Sequence, residues 1–195
     1  MSEAVDVLRA GKPVVLPTDT VYGLAVTAER SEPSELMYRI KGRDPLKPTA
    51  MIVADVDTLL EVLPELHGRA AEIARTLLPG PYTLILPNPA RRYRWITGST
   101  PDAIGVRVPD LPEASRTVVA AVGAVVATSA NETGGSDPRR LDDVPASILE
   151  QVGAVVDGGE LPGTPSTVID FTGDEPRVVR EGAVSSADAL ALLTR

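Results

Sequence analysis

Short runs of Val, Ile, Leu and Ala alternate along the chain with stretches whose apolar residues recur every three or four positions. The first pattern suits strands, whose side chains alternate between two faces, and the second suits amphipathic helices. Strands are predicted at Val14–Leu16, Leu24–Thr27, Ala50–Val53, Tyr82–Leu86, Ile104–Val108, Ala124–Ala127, Ala154–Val156, Thr167–Phe171 and Val178–Arg180. Between them fall a helix capped by Ser2 and ended by Gly11, and one from Ser31 with Leu36, Met37 and Ile40 on its buried face. Pro45 disfavours helical backbone at Asp44, so that second helix stops close to Lys41. Further helices are predicted after Asp55, at Gly68–Leu77, Glu113–Val122 and Val144–Gln151, and from Ser186. Strands interleaved with helices build a sheet covered by helices, an α/β domain.

Composition narrows this picture. A length of 195 residues with no internal repeat, low-complexity tract or linker suits one domain over residues 1–195. Only 3% of residues are aromatic against 43% hydrophobic, so the core is aliphatic. The absence of cysteine excludes disulfides, thiolate nucleophiles and Cys-based zinc sites, and the single His67, outside every motif, reads as a surface or helix-capping residue. A net charge of −8 weighs against broad affinity for nucleic acid or anionic membrane, so an anionic ligand needs a local basic cluster. The acidic opening MSEAVDVLRAGK is unlike a secretory leader, and the longest apolar run, Val118–Ala127, is too short for a membrane span, so a cytoplasmic location is expected.

The common nucleotide cradles, G-x-x-x-x-G-K-[ST] and G-x-G-x-x-G, are absent, as is the G-x-S-x-G nucleophile elbow. Candidate chemistry lies instead in polar segments at the ends of predicted strands and helices. PTDTVYGL (Pro17–Leu24) crowds Thr18, Asp19, Thr20 and Tyr22 ahead of Gly23; taken alone it is a turn with an Asx-type hydrogen bond. KGRDPLKP (Lys41–Pro48) closes a helix and alone is a basic turn complementing the helix C-terminus. In an extended loop, however, Lys41 and Arg43 point to one side and offer phosphate a point charge and a planar fork. PGPYTLIL (Pro79–Leu86) launches a strand, and RWITG (Arg94–Gly98) follows it. IGVRVP (Ile104–Pro109) sets Arg107 among aliphatic residues, ATSANETGG (Ala127–Gly135) leaves a strand, and GTPSTVID (Gly163–Asp170) precedes VVREG (Val178–Gly182).

In this order, over roughly residues 13–182, these segments resemble the YrdC-like family of threonylcarbamoyl-AMP synthases. The resemblance implies a twisted mixed sheet flanked by helices, with a basic-lined cleft. It places the catalytic role at Lys41 and Arg43, and threonine against Thr20, Arg107, Ser129 and Ser166. Nucleotide contacts fall at Arg43, Lys47, Asn131 and Arg180, with no protein metal site and with Mg²⁺ held mainly through the phosphates of ATP. Three departures carry no contact over: Ala103 stands where relatives often have a small hydroxyl residue, Ile52 where many have His, and Pro138–Arg139 where Ser, Pro and Thr are usual.

The implied activity is L-threonylcarbamoyladenylate synthesis, a nucleotidyl transfer that joins L-threonine, bicarbonate and ATP and releases pyrophosphate. Downstream proteins would then move the threonylcarbamoyl group to the tRNA adenosine beside the anticodon. Two other classes stay open: a module binding tRNA or double-stranded RNA directly, which is the weaker expectation, and a carbamoyl-transfer enzyme of the hydrogenase-maturation type. Salt-sensitive RNA retention without ATP turnover would mark the first. The acylphosphatase-like and zinc-finger regions of the second are absent from this sequence.

Overall fold

A computed structural model describes residues 3–194. Nine strands form one mixed sheet: β1 (Val14–Pro17), β2 (Tyr22–Thr27), β3 (Ala50–Val53), β4 (Tyr82–Pro87), β5 (Ala103–Arg107), β6 (Ala124–Ser129), β7 (Ala154–Val155), β8 (Thr167–Asp170) and β9 (Arg177–Arg180). Their order is β7-β1-β2-β6-β3-β5-β4-β8-β9. Three pairs are parallel, β1 with β7, β3 with β5 and β4 with β8, and the rest run antiparallel.

The helices are α1 (Glu3–Arg9), α2 (Ser31–Lys41), α3 (Val56–Val62), α4 (Arg69–Leu77), α5 (Arg94–Thr97), α6 (Glu113–Val122), α7 (Ala146–Leu149) and α8 (Ser186–Leu192). None of the described helices is long and apolar enough to cross a membrane.

Strand alternation divides the apolar residues between two layers. On one face Val15, Leu24, Val26, Met51, Leu84, Leu86, Val106 and Ile169 pack with residues of α2, α3, α4, α5, α7 and α8 into the larger core. On the other, Val14, Leu16, Ala25, Ile52, Val125 and Ala127 meet Ala4, Val5 and Leu8 of α1 and Val118 and Val119 of α6. Those two helices cover only half of their face. Along β4 the burial therefore alternates, with Leu84 and Leu86 fully buried and Thr83 and Ile85 half-buried. The uncovered half, over β4, β5 and β8, is where a ligand finds room.

The differences from the sequence reading have local causes. The buried stripe of α2 is Pro33, Ser34, Met37, Tyr38 and Lys41, leaving Leu36 and Ile40 half-buried. Small Ser34 and the aliphatic stem of Lys41 occupy places that hydropathy alone assigns to Leu36 and Ile40. Gly42 takes a left-handed conformation (φ 60°), its N–H bonding Arg39 O while Arg43 N–H bonds Tyr38 O, so α2 ends in a tight reversal rather than an extended loop. The helix expected at Val144–Gln151 shortens to α7 behind a 3₁₀ turn at Leu141–Asp143, and α5 was not anticipated. His67 is exposed, and the cap assigned to Ser2 lies outside the described residues.

Candidate active site

A cavity of about 490 Å³ opens on the uncovered half of the sheet. Its floor is kept low by Gly23, Ala50, Ala103, Gly105 and Ala127, all of which line it. Thr20, Lys41, Arg43, Arg107, Ser129, Asn131, Ser166 and Arg180 all line this same cavity. Lys47 does not. Asp44 coils the loop around it, accepting Leu46 N–H on its side chain at 2.9 Å and Lys47 N–H on its carbonyl at 3.1 Å, and Lys47 stays exposed. The nucleotide contact expected at Lys47 has no support from this placement.

The turn between β1 and β2 builds one side. Thr18 Oγ1 accepts the N–H groups of Thr20 and Val21 at 3.2 Å and donates to Val21 O at 2.7 Å, which fixes the turn and presents Thr20. Tyr22 Oη contacts Asp157 Oδ1 and Gly159 O, both at 2.9 Å, and accepts Gly158 N–H. From the end of β5, Arg107 sends Nη2 to Asp19 Oδ1 at 2.7 Å and to Thr20 Oγ1 at 3.2 Å. Arg107 is 9% exposed. Burial lowers its pKa, Asp19 opposes this, and the charge of Arg180 adds to the lowering. Burial likewise raises the Asp19 carboxyl pKa, against the pull of Arg107.

A second cluster joins the end of α2 to the loop after β6. Lys41 Nζ donates to Ser129 O at 2.5 Å, to Asn131 O at 2.8 Å and to Asn131 Oδ1. Ser129 Oγ also donates to Asn131 Oδ1 at 2.7 Å, and Asn131 Nδ2 donates to Gly135 O at 2.6 Å. Burial, reinforced by Arg43, pulls the Lys41 pKa down to about 8, while Asp137 resists. Arg43 donates from Nη2 to Pro48 O at 2.8 Å and leaves Nε buried without a partner.

The third side comes from β4, the residue just ahead of β8, and β9. Ser166 and Thr83 hydroxyls lie 2.7 Å apart, and Arg180 Nη2 donates to Ser166 O at 2.8 Å. Gly182 makes this corner fit: a Cβ there would stand 2.3 Å from Pro165 O.

The sequence reading missed the ion pair of Asp19, the lining positions of Thr100 and Asp137, and the close approach at Gly182. Asp19 stood inside a noted segment, but nothing local marks a partner 88 positions away. Asp137 is the one carboxylate among the lining residues, against the cations Lys41, Arg43, Arg107 and Arg180. Among the described residues no group of three or more His, Cys, Asp or Glu is placed to hold a metal ion.

Comparison with known proteins gives this cavity a context. The chain is 33% identical to the threonylcarbamoyl-AMP synthase of Pyrococcus abyssi over 91% of its own length and 52% of that protein's. It is 31% identical to the enzyme of the same name from Bacillus subtilis, over 99% of this chain and 56% of the relative. The chain thus spans about half the length of these two curated relatives. The crystal structure of Pyrococcus abyssi Sua5 complexed with L-threonine superposes with a TM-score of 0.88 at 32% identity, covering 97% of this chain and 56% of that one. The family model for Sua5, YciO and YrdC, whose description reads telomere recombination, matches residues 6–182, and the chain belongs to that family.

Proposed function

We propose that the protein is an L-threonylcarbamoyladenylate synthase, a nucleotidyltransferase acting on L-threonine, bicarbonate and ATP. The observation that carries this reading is the meeting of two sets of groups in one cavity. Arg107, Thr20 and Ser166 offer a guanidinium and two hydroxyls, suited to the carboxylate and hydroxyl of an amino acid. Lys41, Arg43, Asn131 and Arg180 offer three cations and an amide, suited to phosphate oxygens.

In the reaction, the threonine amine takes up bicarbonate with loss of water to give an N-carboxylate. One oxygen of that group attacks the α-phosphorus of ATP, and the bond from that phosphorus to the bridging oxygen breaks. Pyrophosphate leaves with the electron pair. No covalent intermediate with the protein is needed: the residues hold an anion and a polyanion in line and offset the charge that develops between them. Arg43, held at the cavity wall by its Nη2 bond to the Pro48 carbonyl, keeps a fixed positive charge there. Lys41 adds a positive charge while binding the Ser129–Asn131 loop to α2. Apart from Asp137, the side-chain oxygens lining the cavity belong to hydroxyls and the Asn131 amide, a set that suits Mg²⁺ carried in on ATP phosphates. When bound, Mg²⁺ supplies charge neutralisation at those phosphates.

The product would pass to proteins that modify the tRNA adenosine beside the anticodon, in the cytoplasm. The test is pyrophosphate release with threonine, bicarbonate and ATP supplied together and with each omitted singly. Release should require all three, and equal release without threonine would refute the reading.

A further inference from the structure

The least exposed ion pair among the described residues spans the cavity wall, with Arg107 lining the cavity and Asp19 behind it. Arg107 and Asp19 have side chains only 11% and 9% exposed, and Asp19, unlike Arg107 and Thr20, is not among the lining residues. As a contribution to fold stability the pair is poorly made. A guanidinium and a carboxylate can form two parallel hydrogen bonds, yet only the Nη2–Oδ1 contact is present. Asp19 Oδ2 and Arg107 Nε are both buried without a well-formed hydrogen bond, although the backbone N–H groups of Asp19 and Asp110 and the Thr20 hydroxyl ease the carboxylate's charge without outweighing its burial. An ion pair taken out of water recovers its desolvation cost only when its remaining donors and acceptors are satisfied.

The pair makes better sense as a way of aiming Arg107. Its Nη2 is drawn by Asp19 and Thr20, neighbours in one turn, and that turn is itself fixed by the Thr18 hydroxyl. Arg180 pushes on the same guanidinium as a like charge. Asp19 is the one carboxylate hydrogen-bonded to Arg107 among the described residues, so it both neutralises and orients.

We propose that Asp19 is a positioning residue for amino-acid binding: it grips Arg107 from behind the cavity wall, so the incoming carboxylate meets the guanidinium in one fixed orientation. This rests on the reading of the cavity as a threonine site. The proposal makes a signed prediction, because Asp19 also repels that carboxylate. If charge alone governed binding, removing Asp19 would tighten it. If orientation governs, removing Asp19 weakens it, as misplacement of a binding group does.

The test uses the full chain and the variants Asp19→Asn, Asp19→Glu and Arg107→Ala, titrated calorimetrically with L-threonine and separately with ATP, alongside thermal unfolding and the Michaelis constants in turnover. Asp19→Glu keeps the charge but moves it by one methylene, so it guards against a variant that fails only because Arg107 is left unpaired. Both Asp19 variants should weaken L-threonine binding by about tenfold or more and raise KM for threonine, with ATP affinity unchanged. Arg107→Ala should weaken L-threonine binding at least as much. Should Arg107→Ala behave this way while either Asp19 variant binds threonine as well as or better than wild type, the positioning role is overturned and the threonine site stands. A wild-type protein that does not bind L-threonine overturns both. Parallel loss of both ligands with lowered unfolding temperature in both Asp19 variants makes Asp19 a fold residue and overturns the proposal too.

Discussion

Replacing Lys41 by Met tests whether the ammonium is a structural pin as well as a charge. Met nearly preserves the unbranched stem that packs at the end of α2, where Lys41 is 5% exposed, but removes the donors to Ser129 O, Asn131 O and Asn131 Oδ1. Three hydrogen bonds from a charged group contribute about 1.5–3 kcal/mol each. Against this, displacement of the Lys41 pKa from 10.5 to about 8 corresponds to roughly 3 kcal/mol of desolvation and repulsion, which Met relieves. The midpoint of the difference is a net loss of about 4 kcal/mol at pH 7, consistent with breaking a buried charge network. For a chain of this size that lowers the unfolding temperature by about 8–16 °C. Denaturant titration followed by circular dichroism reads the free energy directly, and the slope with denaturant should not change. A variant within about 0.5 kcal/mol of wild type would refute the pin, leaving Lys41 as a charge for ligand alone.

Two further outcomes concern the ligands. Arg43→Ala should mainly weaken ATP binding and Arg107→Ala mainly threonine binding, each by about 10- to 150-fold for one lost charge-assisted hydrogen bond; calorimetric titration of each variant with each ligand reads the split. Because Lys41 carries its charge only below a pKa of about 8, ATP affinity should fall, by about tenfold, as pH rises from 7 to 9, and this dependence should be absent in Lys41→Met.

The strongly alternating segments were legible in the sequence because burial on one face dictates their pattern. Tyr82–Leu86 falls within β4 for that reason, whereas Ala50–Val53 matches β3 as a short apolar run buried on both faces. Four-residue α5 has too few turns to show a period, and its role emerges only where Tyr38 Oη reaches Trp95 O and Thr49 N–H reaches Ile96 O. The polar segments at strand ends could be picked out as candidates, and the fold gathers them on one cavity because β2, β6, β3 and β5 are neighbours in the sheet. What stayed hidden depends on contacts far apart in sequence or on turn geometry. Asp19 meets Arg107 across 88 positions, Lys41 meets Asn131 across 90, and the Asp44 turn leaves Lys47 outside. The apparent i, i+2 alignment of Lys41 and Arg43 had a different origin: the left-handed Gly42, not an extended loop, brings both to the cavity.

The central claim is that this cavity joins a carboxylated threonine to AMP, and the most direct measurement follows carbon. The protein is incubated with ATP, Mg²⁺, L-threonine and isotopically labelled bicarbonate, and the nucleotide products are separated and analysed by mass spectrometry alongside pyrophosphate. The account predicts an AMP conjugate carrying both threonine and the labelled carbon, formed one for one with pyrophosphate and absent when threonine is omitted. Pyrophosphate released with AMP conjugates lacking the label, or labelled product formed equally without threonine, would contradict it.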